Sequence, residues 1–314
     1  MRIAVTGVAG FVGSHLAERL VSLGHEVVGI DRFTDYYARA IKERNLARLR
    51  DEARFSLVEA DIATCELAPI LEGAEVVFHQ AAQPGVRASW GQSFGGYLHD
   101  NVLATQRLLE ALKSRKDPIR RLVYASSSSV YGNTEERELP TRESSPTKPY
   151  SPYGVTKLAG EHLCELYRMN LGVPTTSLRY FTVYGPRQRP DMAFHRFITA
   201  ARRGEPIPLY GDGEQTRDFT FIADAVDANL AAMEAAEGGV FNIGGGSRVT
   251  VNEVLATLGE VVGPLRIDRR ERQLGDVHHT WADATRARTL LGYAPKVSLR
   301  EGLRAEAAWL AEVS

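Results

Sequence analysis

Tyr153 and Lys157 lie four residues apart in SPYGVTKLAGEHLCELYRMNL, so a helix through this stretch carries both side chains on one face. A phenol titrates near about 10 and is a poor base at neutral pH, but an adjacent ammonium favours the phenolate and draws that value down. The pair suits proton exchange with a hydroxyl that is being oxidised. Upstream, Tyr124-Ala125-Ser126-Ser127-Ser128-Ser129-Val130-Tyr131-Gly132 sets four hydroxyls at what reads as a strand end, where doubly wound sheets present their ligands. One of them could relay a proton between substrate and tyrosine. A plain polar strand end is the alternative.

A second stretch, Gly7-Val8-Ala9-Gly10-Phe11-Val12-Gly13, spaces its glycines GxxGxxG between a strand and a helix. Gly7, Gly10 and Gly13 allow a tight turn, and the N–H groups from Phe11 and Val12 onward can approach a pyrophosphate closely. Asp31 follows Gly13 by 18 residues at the end of the second strand, with Arg32 beside it. A carboxylate there accepts both adenosine ribose hydroxyls and repels a 2′-phosphate, so NAD is expected rather than NADP. Lys157 could bind the cofactor ribose as well.

Residues 181 to 197, FTVYGPRQRPDMAFHRF, gather Arg187, Arg189 and Arg196 in one loop. Guanidinium forks match carboxylates and phosphates. The chain has 32 arginines against 6 lysines, so a solvated arginine-rich turn is the bland alternative.

The elements that must position these groups alternate through the first half. RIAVTG, EVVGID, FSLVEAD, EVVFHQ and RLVYASSS read as strands separated by amphipathic helices, which predicts an α/β fold with a doubly wound parallel sheet. The helix from Ser151 to Leu171 feeds a further strand, PTTSLRY. After Phe181 the pattern turns to Gly-, Pro- and Arg-rich loops with a helix near 192 to 203. DAVDANLAAMEAA and GVFNIGGG then look like one more helix and strand of the first kind. The expected division is 1–181 as a cofactor-binding domain, with 222–246 returning to it, and 182–221 with 247–314 as a smaller α/β substrate domain.

The bulk properties exclude several classes. The net charge is −1, which offers no case for nucleic acid or an anionic membrane. Cys65 and Cys164 have no metal-ligand spacing, so no metal is expected and the thiols read as isolated ones in a reducing cytosol. MRIAVTG has no export signal, and no apolar run approaches the ~18 residues of a membrane span. A cytoplasmic protein is expected.

Together these stretches resemble the extended short-chain dehydrogenase/reductase family of nucleotide-sugar epimerases and dehydratases. The resemblance rests on TGVAGFVG, Asp31, Asp61-Ile62, HQAAQ at 79–83, SSSSVYG, YGVTK, RYFTVYGP, GDGEQTRDF and GDVHHTWAD, and covers nearly the whole chain. It implies that the relay hydroxyl, three places before the Val of VYG, is Ser127, with Ser128 as the substitute. It also implies Asp61 and Ile62 at adenine, Ala81 and Ala82 along the cofactor cleft, Asn101 in support, and Tyr180 in the cofactor set. Dehydratases of the family resemble one another in carrying Asp-Glu directly after the relay hydroxyl. Here those positions are Ser128 and Ser129, which disfavours elimination of water and leaves oxidation at C4 followed by reduction.

The second half is then expected to hold a UDP-sugar. Arg217 suits phosphate, Tyr210 suits stacking on uracil, and Arg272 and Asp276 are candidates for phosphate and ribose, with Arg87 also in the substrate set. Many neutral-sugar 4-epimerases carry FNVYGP, whereas FTVYGP followed by RPDMA is similar to the UDP-glucuronate branch. That implies Thr182 and Arg189 as readers of the C6 carboxylate, and conversion of UDP-glucuronate to UDP-galacturonate through a transient 4-keto sugar. The alternatives are a UDP-glucose or UDP-N-acetylglucosamine 4-epimerase, then a UDP-glucuronate decarboxylase, and outside enzymes an NAD-binding sensor. For Arg189 the structural alternative is an ion pair with Asp191 that braces the loop, and Arg187 and Arg196 receive no role. Family members pair through two long helices, here about 91–115 and 151–171, so a homodimer is expected.

Overall fold

The computed structural model describes residues 1–236, 238–271 and 276–313. Its strands in chain order are β1 (Arg2–Thr6), β2 (Glu26–Asp31), β3 (Phe55–Glu59), β4 (Val76–His79), β5 (Arg121–Ser127), β6 (Thr175–Tyr180), β7 (Val183–Tyr184), β8 (Ile207–Tyr210), β9 (Thr216–Asp218), β10 (Thr220–Phe221), β11 (Gly239–Ile243), β12 (Arg248–Thr250) and β13 (Ile267–Arg270). Seven of these form one sheet in the order β11-β6-β5-β4-β1-β2-β3, with every neighbouring pair parallel.

The central strands are buried at every position from Ile3 to Val5, Val76 to Phe78 and Leu122 to Tyr124. Apolar residues on both pleat faces require cover on both sides, which is why these strands show no polar alternation. Helices Phe11–Ser22 and Ile222–Glu234 cover one face, where Leu16, Leu20, Ala225 and Ala232 pack on Val5 and Phe78. Helices Ala104–Lys113 and Pro152–Leu171 cover the other through Leu108, Leu112 and Cys164 against Ala4, Val77 and Tyr124. The winding reverses between β1 and β4, so a crevice opens at the carboxyl ends of the strands.

Beyond β6 a separate apolar cluster gathers Phe194, Ile198, Leu209, Phe219, Val254, Leu258, Leu303 and Leu310. It sits among helices Ala193–Arg202, Val251–Val262 and Leu299–Val313 and three two-stranded sheets, β7 with β10, β8 with β13 and β9 with β12. β11 leaves this region and pairs with β6 at the edge of the main sheet.

The long helix expected over about 91–115 is a composite. A short α-helical turn, Phe94–Tyr97, passes into a π-helical segment, Leu98–Leu103, before the regular helix Ala104–Lys113 begins. Asn101 sits in the π-helical segment and its side chain bonds outside the helix, the kind of local device that accompanies a widened turn. Among the described residues no helix is long and apolar enough to cross a membrane.

Candidate active site

A cleft of about 790 Å³ follows the carboxyl ends of the strands and is lined by the glycine loop, the serine turn after β5, Tyr153, Lys157 and the loop after β6. At the glycine end the backbone of Gly7 has φ of 67°, and a Cβ there would lie 2.7 Å from the Cα of Ala81. A Cβ on Gly13 would run into the carbonyl of Gly7. Helix Phe11–Ser22 starts at Gly10 without a side-chain cap, so its first N–H groups remain available to an anion. This cradle fits a dinucleotide pyrophosphate.

Asp31 is oriented by the Ala9 N–H at 3.1 Å and the Phe33 N–H at 2.8 Å. Arg32 turns away from it, donating to Asp61 at 3.1 Å and Asp100 at 2.7 Å. The cation beside Asp31 is instead Lys42, with Nζ at 3.5 Å from the carboxylate and only 5% of the residue exposed. Sequence reading missed Lys42, because nothing in its spacing from Asp31 marks it as the partner. Partial burial of Asp61 opposes ionisation, but the His99 bond, the Ala63 N–H and the charge of Arg32 hold its carboxyl below the usual range. Ile62, Ala81 and Ala82 line the same end.

The helix carrying Tyr153 is capped at both ends. The Ser151 hydroxyl accepts from Gly154 N–H at 3.1 Å, Pro152 occupies the first turn, and Gly172 closes the helix with φ of 69°. Ser127 ends β5 and its hydroxyl accepts from Ser129 N–H at 3.1 Å, which turns the chain across the cleft. Ser127 lines the same cleft as Tyr153. Ser126 points elsewhere, donating to buried Glu161 at 2.7 Å, while Ser128 and Ser129 line the cleft.

Electrostatics at the pair differ from the expectation. Burial raises the Tyr153 phenol above its ordinary value, and the groups that pull it down are Ser127 and the charge of Arg189 rather than Lys157. Lys157 is 2% exposed and burial lowers it to about 8. Its ammonium stands 4.5 Å over the Tyr124 ring, one turn before Glu161.

Asn101 lies behind the cleft, 1% exposed, donating to Thr156 at 2.9 Å and accepting from Gln83 N–H at 2.7 Å. It ties the loop after β4 to the helix of Tyr153. The Tyr180 hydroxyl accepts from Asn229 at 2.7 Å and from Gln80 at 3.4 Å, which fixes its ring on the cleft wall.

Thr182, between β6 and β7, and Arg189, in the loop after β7, line the cleft. Arg189 forks onto Asp191, Nε to Oδ1 and Nη2 to Oδ2, each at 3.0 Å. Tyr36 donates to the same Asp191 at 3.2 Å. Neither Asp191 nor Tyr36 was singled out as a site residue from sequence, although the run DYY just after Asp31 was visible. Arg187, with φ of 66°, turns away and pairs with Glu18 at 2.6 Å, joining the loop to the first helix. Arg196 is exposed on the cleft wall.

At the far end Arg87 pairs with Asp276 at 2.6 Å and covers the Tyr210 ring at 4.6 Å. Arg217 donates to the carbonyls of Thr216, Val277 and His278 at 2.8, 2.8 and 3.0 Å. Arg87, Tyr210, Arg217 and Asp276 thus share one wall, with Gln215 among them. Arg272 lies outside the described residues.

A family model described as "NAD dependent epimerase/dehydratase family" matches residues 3–244. The Bacillus subtilis (strain 168) protein called "Uncharacterized UDP-glucose epimerase YtcB" is 44% identical over 317 residues, covering 100% of this chain and 99% of that protein. The protein called "UDP-glucuronate 4-epimerase" in Thermodesulfobacterium geofontis (strain OPF15) is 36% identical, over 98% of this chain and 95% of its own. The crystal structure of UDP-glucuronic acid 4-epimerase from Bacillus cereus in complex with UDP-glucuronic acid and NAD superposes with a TM-score of 0.96 at 43% identity, covering 100% of both chains.

Proposed function

The chain belongs to the NAD dependent epimerase/dehydratase family, and from that premise and the geometry of the cleft we propose that it is an NAD-dependent UDP-sugar 4-epimerase converting UDP-glucuronate to UDP-galacturonate. One observation carries the choice of sugar. Arg189, a permanent cation, faces the cleft close enough to Tyr153 for its charge to act on the phenol. A C6 carboxylate beside a reacting C4 hydroxyl needs a cation at that place.

NAD, when bound, supplies the acceptor and then the donor of the C4 hydride. Gly7, Gly10, Phe11, Val12 and Gly13 hold its pyrophosphate, Asp31 its adenosine ribose, and Lys157 its other ribose. Asp61, Ile62, Ala81, Ala82 and Tyr180 shape the remaining wall. Tyr153 takes the proton of the 4-hydroxyl through or beside Ser127 as the 4-keto sugar forms, and returns it when the hydroxyl re-forms on the opposite face. Thr182 and Arg189 grip the carboxylate, while Arg87, Tyr210, Arg217 and Asp276 take the uridine diphosphate. In domain terms 1–181 with 222–246 holds the cofactor, and 182–221 with 247–314 the sugar nucleotide.

A 4-ketouronate is a β-keto acid, so its C5–C6 bond breaks with loss of CO₂ when that bond aligns with the carbonyl π system. A gripped carboxylate keeps the bond near the ketone plane. A second reading, epimerisation of a neutral UDP-hexose, is favoured by the Asp191 carboxylate that already balances the charge of Arg189. Turnover of UDP-glucuronate, UDP-glucose and UDP-N-acetylglucosamine followed by proton NMR decides between them. Exclusive turnover of a neutral sugar would defeat the uronate assignment, and absence of copurifying NAD would defeat the cofactor assignment.

The assembly we propose is a cytoplasmic homodimer. Val155, Leu166 and Met169 are 50%, 54% and 70% exposed on the helix of Tyr153, and Leu98 and Leu103 are each 44% exposed on the segment packed beside it. Such a face is covered by its equivalent in a four-helix contact. Replacing Leu166 and Met169 by glutamate should give a monomer by light scattering; an unchanged mass would place the contact elsewhere.

A further inference from the structure

A guanidinium offers a carboxylate two edges, the side edge formed by Nε and one Nη2 proton and the end edge formed by Nη1 and the other Nη2 proton. In Arg189 the side edge is occupied, because both Asp191 oxygens accept from it at 3.0 Å. Among the described residues Nη1 has no hydrogen-bond partner, and Arg189 lines the cleft. Asp191 is itself held, since Oδ2 accepts from the Tyr36 hydroxyl at 3.2 Å. Tyr36 belongs to the segment that follows β2 and Asp31, whereas Asp191 belongs to the loop after β7, so the contact joins two segments that line the cleft. The Tyr36 ring also lies 6.0 Å from the guanidinium carbon.

A planar group locked along one edge cannot turn about its own axis, so the direction of the remaining edge is set before a ligand arrives. We propose that Asp191, suspended from Tyr36, is a positioning residue that fixes the side edge of Arg189 so that the end edge receives the carboxylate of a hexuronate. The opposite role for Asp191 would be that of an internal competitor, an acid that must leave before the sugar carboxylate can enter. A competitor would block the edge that points to the ligand, so the two roles predict opposite effects on uronate binding when Asp191 is removed. Asp191 also makes the site poor at attracting carboxylates by charge alone, leaving selection to geometry. The proposal rests on Arg189 being the reader of the carboxylate.

Binding is measured on the NAD-loaded protein with Tyr153→Phe to suppress turnover, using UDP-glucuronate and UDP-glucose as probes. Asp191→Ala should weaken UDP-glucuronate about tenfold while UDP-glucose stays within about twofold. Asp191→Asn, which keeps one acceptor for Nε, should recover part of that loss, and Tyr36→Phe should weaken the uronate by a few-fold at most. Unchanged or tighter uronate binding in Asp191→Ala would overturn the positioning role, and so would equal weakening of both sugars. Arg189→Ala separates the two levels of the argument. If it leaves uronate binding unchanged, the carboxylate reading fails and the proposal with it; if it weakens the uronate while Asp191→Ala does not, only the positioning role fails.

Discussion

Replacing Glu161 by leucine should be among the most damaging single changes outside the cleft. Glu161 and Arg179 have 4% and 5% of their side chains exposed and meet bidentately, at 3.0 Å from Nε and 2.5 Å from Nη2. Ser126, the direct register partner of Arg179 between β5 and β6, donates to the same carboxylate at 2.7 Å. With Glu161 gone, Arg179 keeps, among the described residues, the Tyr131 hydroxyl and the Glu143 carbonyl as acceptors, both neutral. A buried cation without its counter-ion costs about 3–5 kcal/mol, a large part of the roughly 5–15 kcal/mol that holds a typical domain folded. The double variant Glu161→Leu with Arg179→Met removes both charges and should recover most of the loss, giving a coupling energy of about 2 kcal/mol or more. Urea unfolding followed by circular dichroism gives the four corners of the cycle. Because Ser126 precedes Ser127, the single variant should also lower kcat. A single variant within 1 kcal/mol of the parent, or a double as unstable as the sum of its parts, would refute the claim that the pair's charges depend on each other.

Four further outcomes follow. Gly13→Ala should fold yet lose most of its NAD, because its Cβ would meet the Gly7 carbonyl and the cradle has to open; retained NAD by absorbance would show that the loop can yield. Burial lowers Lys157 to about 8, so the unfolded chain binds more protons than the folded one between about pH 8 and its ordinary value, and stability should rise with pH across that window. NAD affinity should move the opposite way, falling from about pH 7 to about pH 9 as the ammonium is lost, with a flat profile in Lys157→Met measured by equilibrium dialysis. Glu306 is fully buried, its carboxyl pushed well above the usual range by desolvation, and it accepts from the Gly185 N–H at 2.9 Å in the loop that carries Thr182 and Arg189. Glu306→Gln keeps that acceptor and should stay active, whereas Glu306→Leu leaves the N–H unpaired at about 1–3 kcal/mol and should raise KM for the uronate.

What could be read from the sequence was what depends on neighbours along the chain. Tyr153 and Lys157 share a helical face because of their spacing, Ser151, Pro152 and Gly172 mark the limits of that helix, and unbroken apolar runs announce strands covered on both faces. Which cation stands beside Asp31 was not legible in this way. Arg32 is adjacent in sequence and turns to Asp61 and Asp100, while Lys42, eleven positions on, reaches the carboxylate across the cleft wall. With 38 basic and 39 acidic side chains, composition permits far too many pairings for spacing to select one. Asp191 shows the same limit at the centre of the site. Its place two residues after Arg189 suggested a local brace, and the brace is present, but its consequence depends on which edge of the guanidinium it takes and on Tyr36 arriving from 155 residues away. Local spacing identifies the participants; which donor atom remains for the substrate is decided by contacts that only the folded sheet brings together.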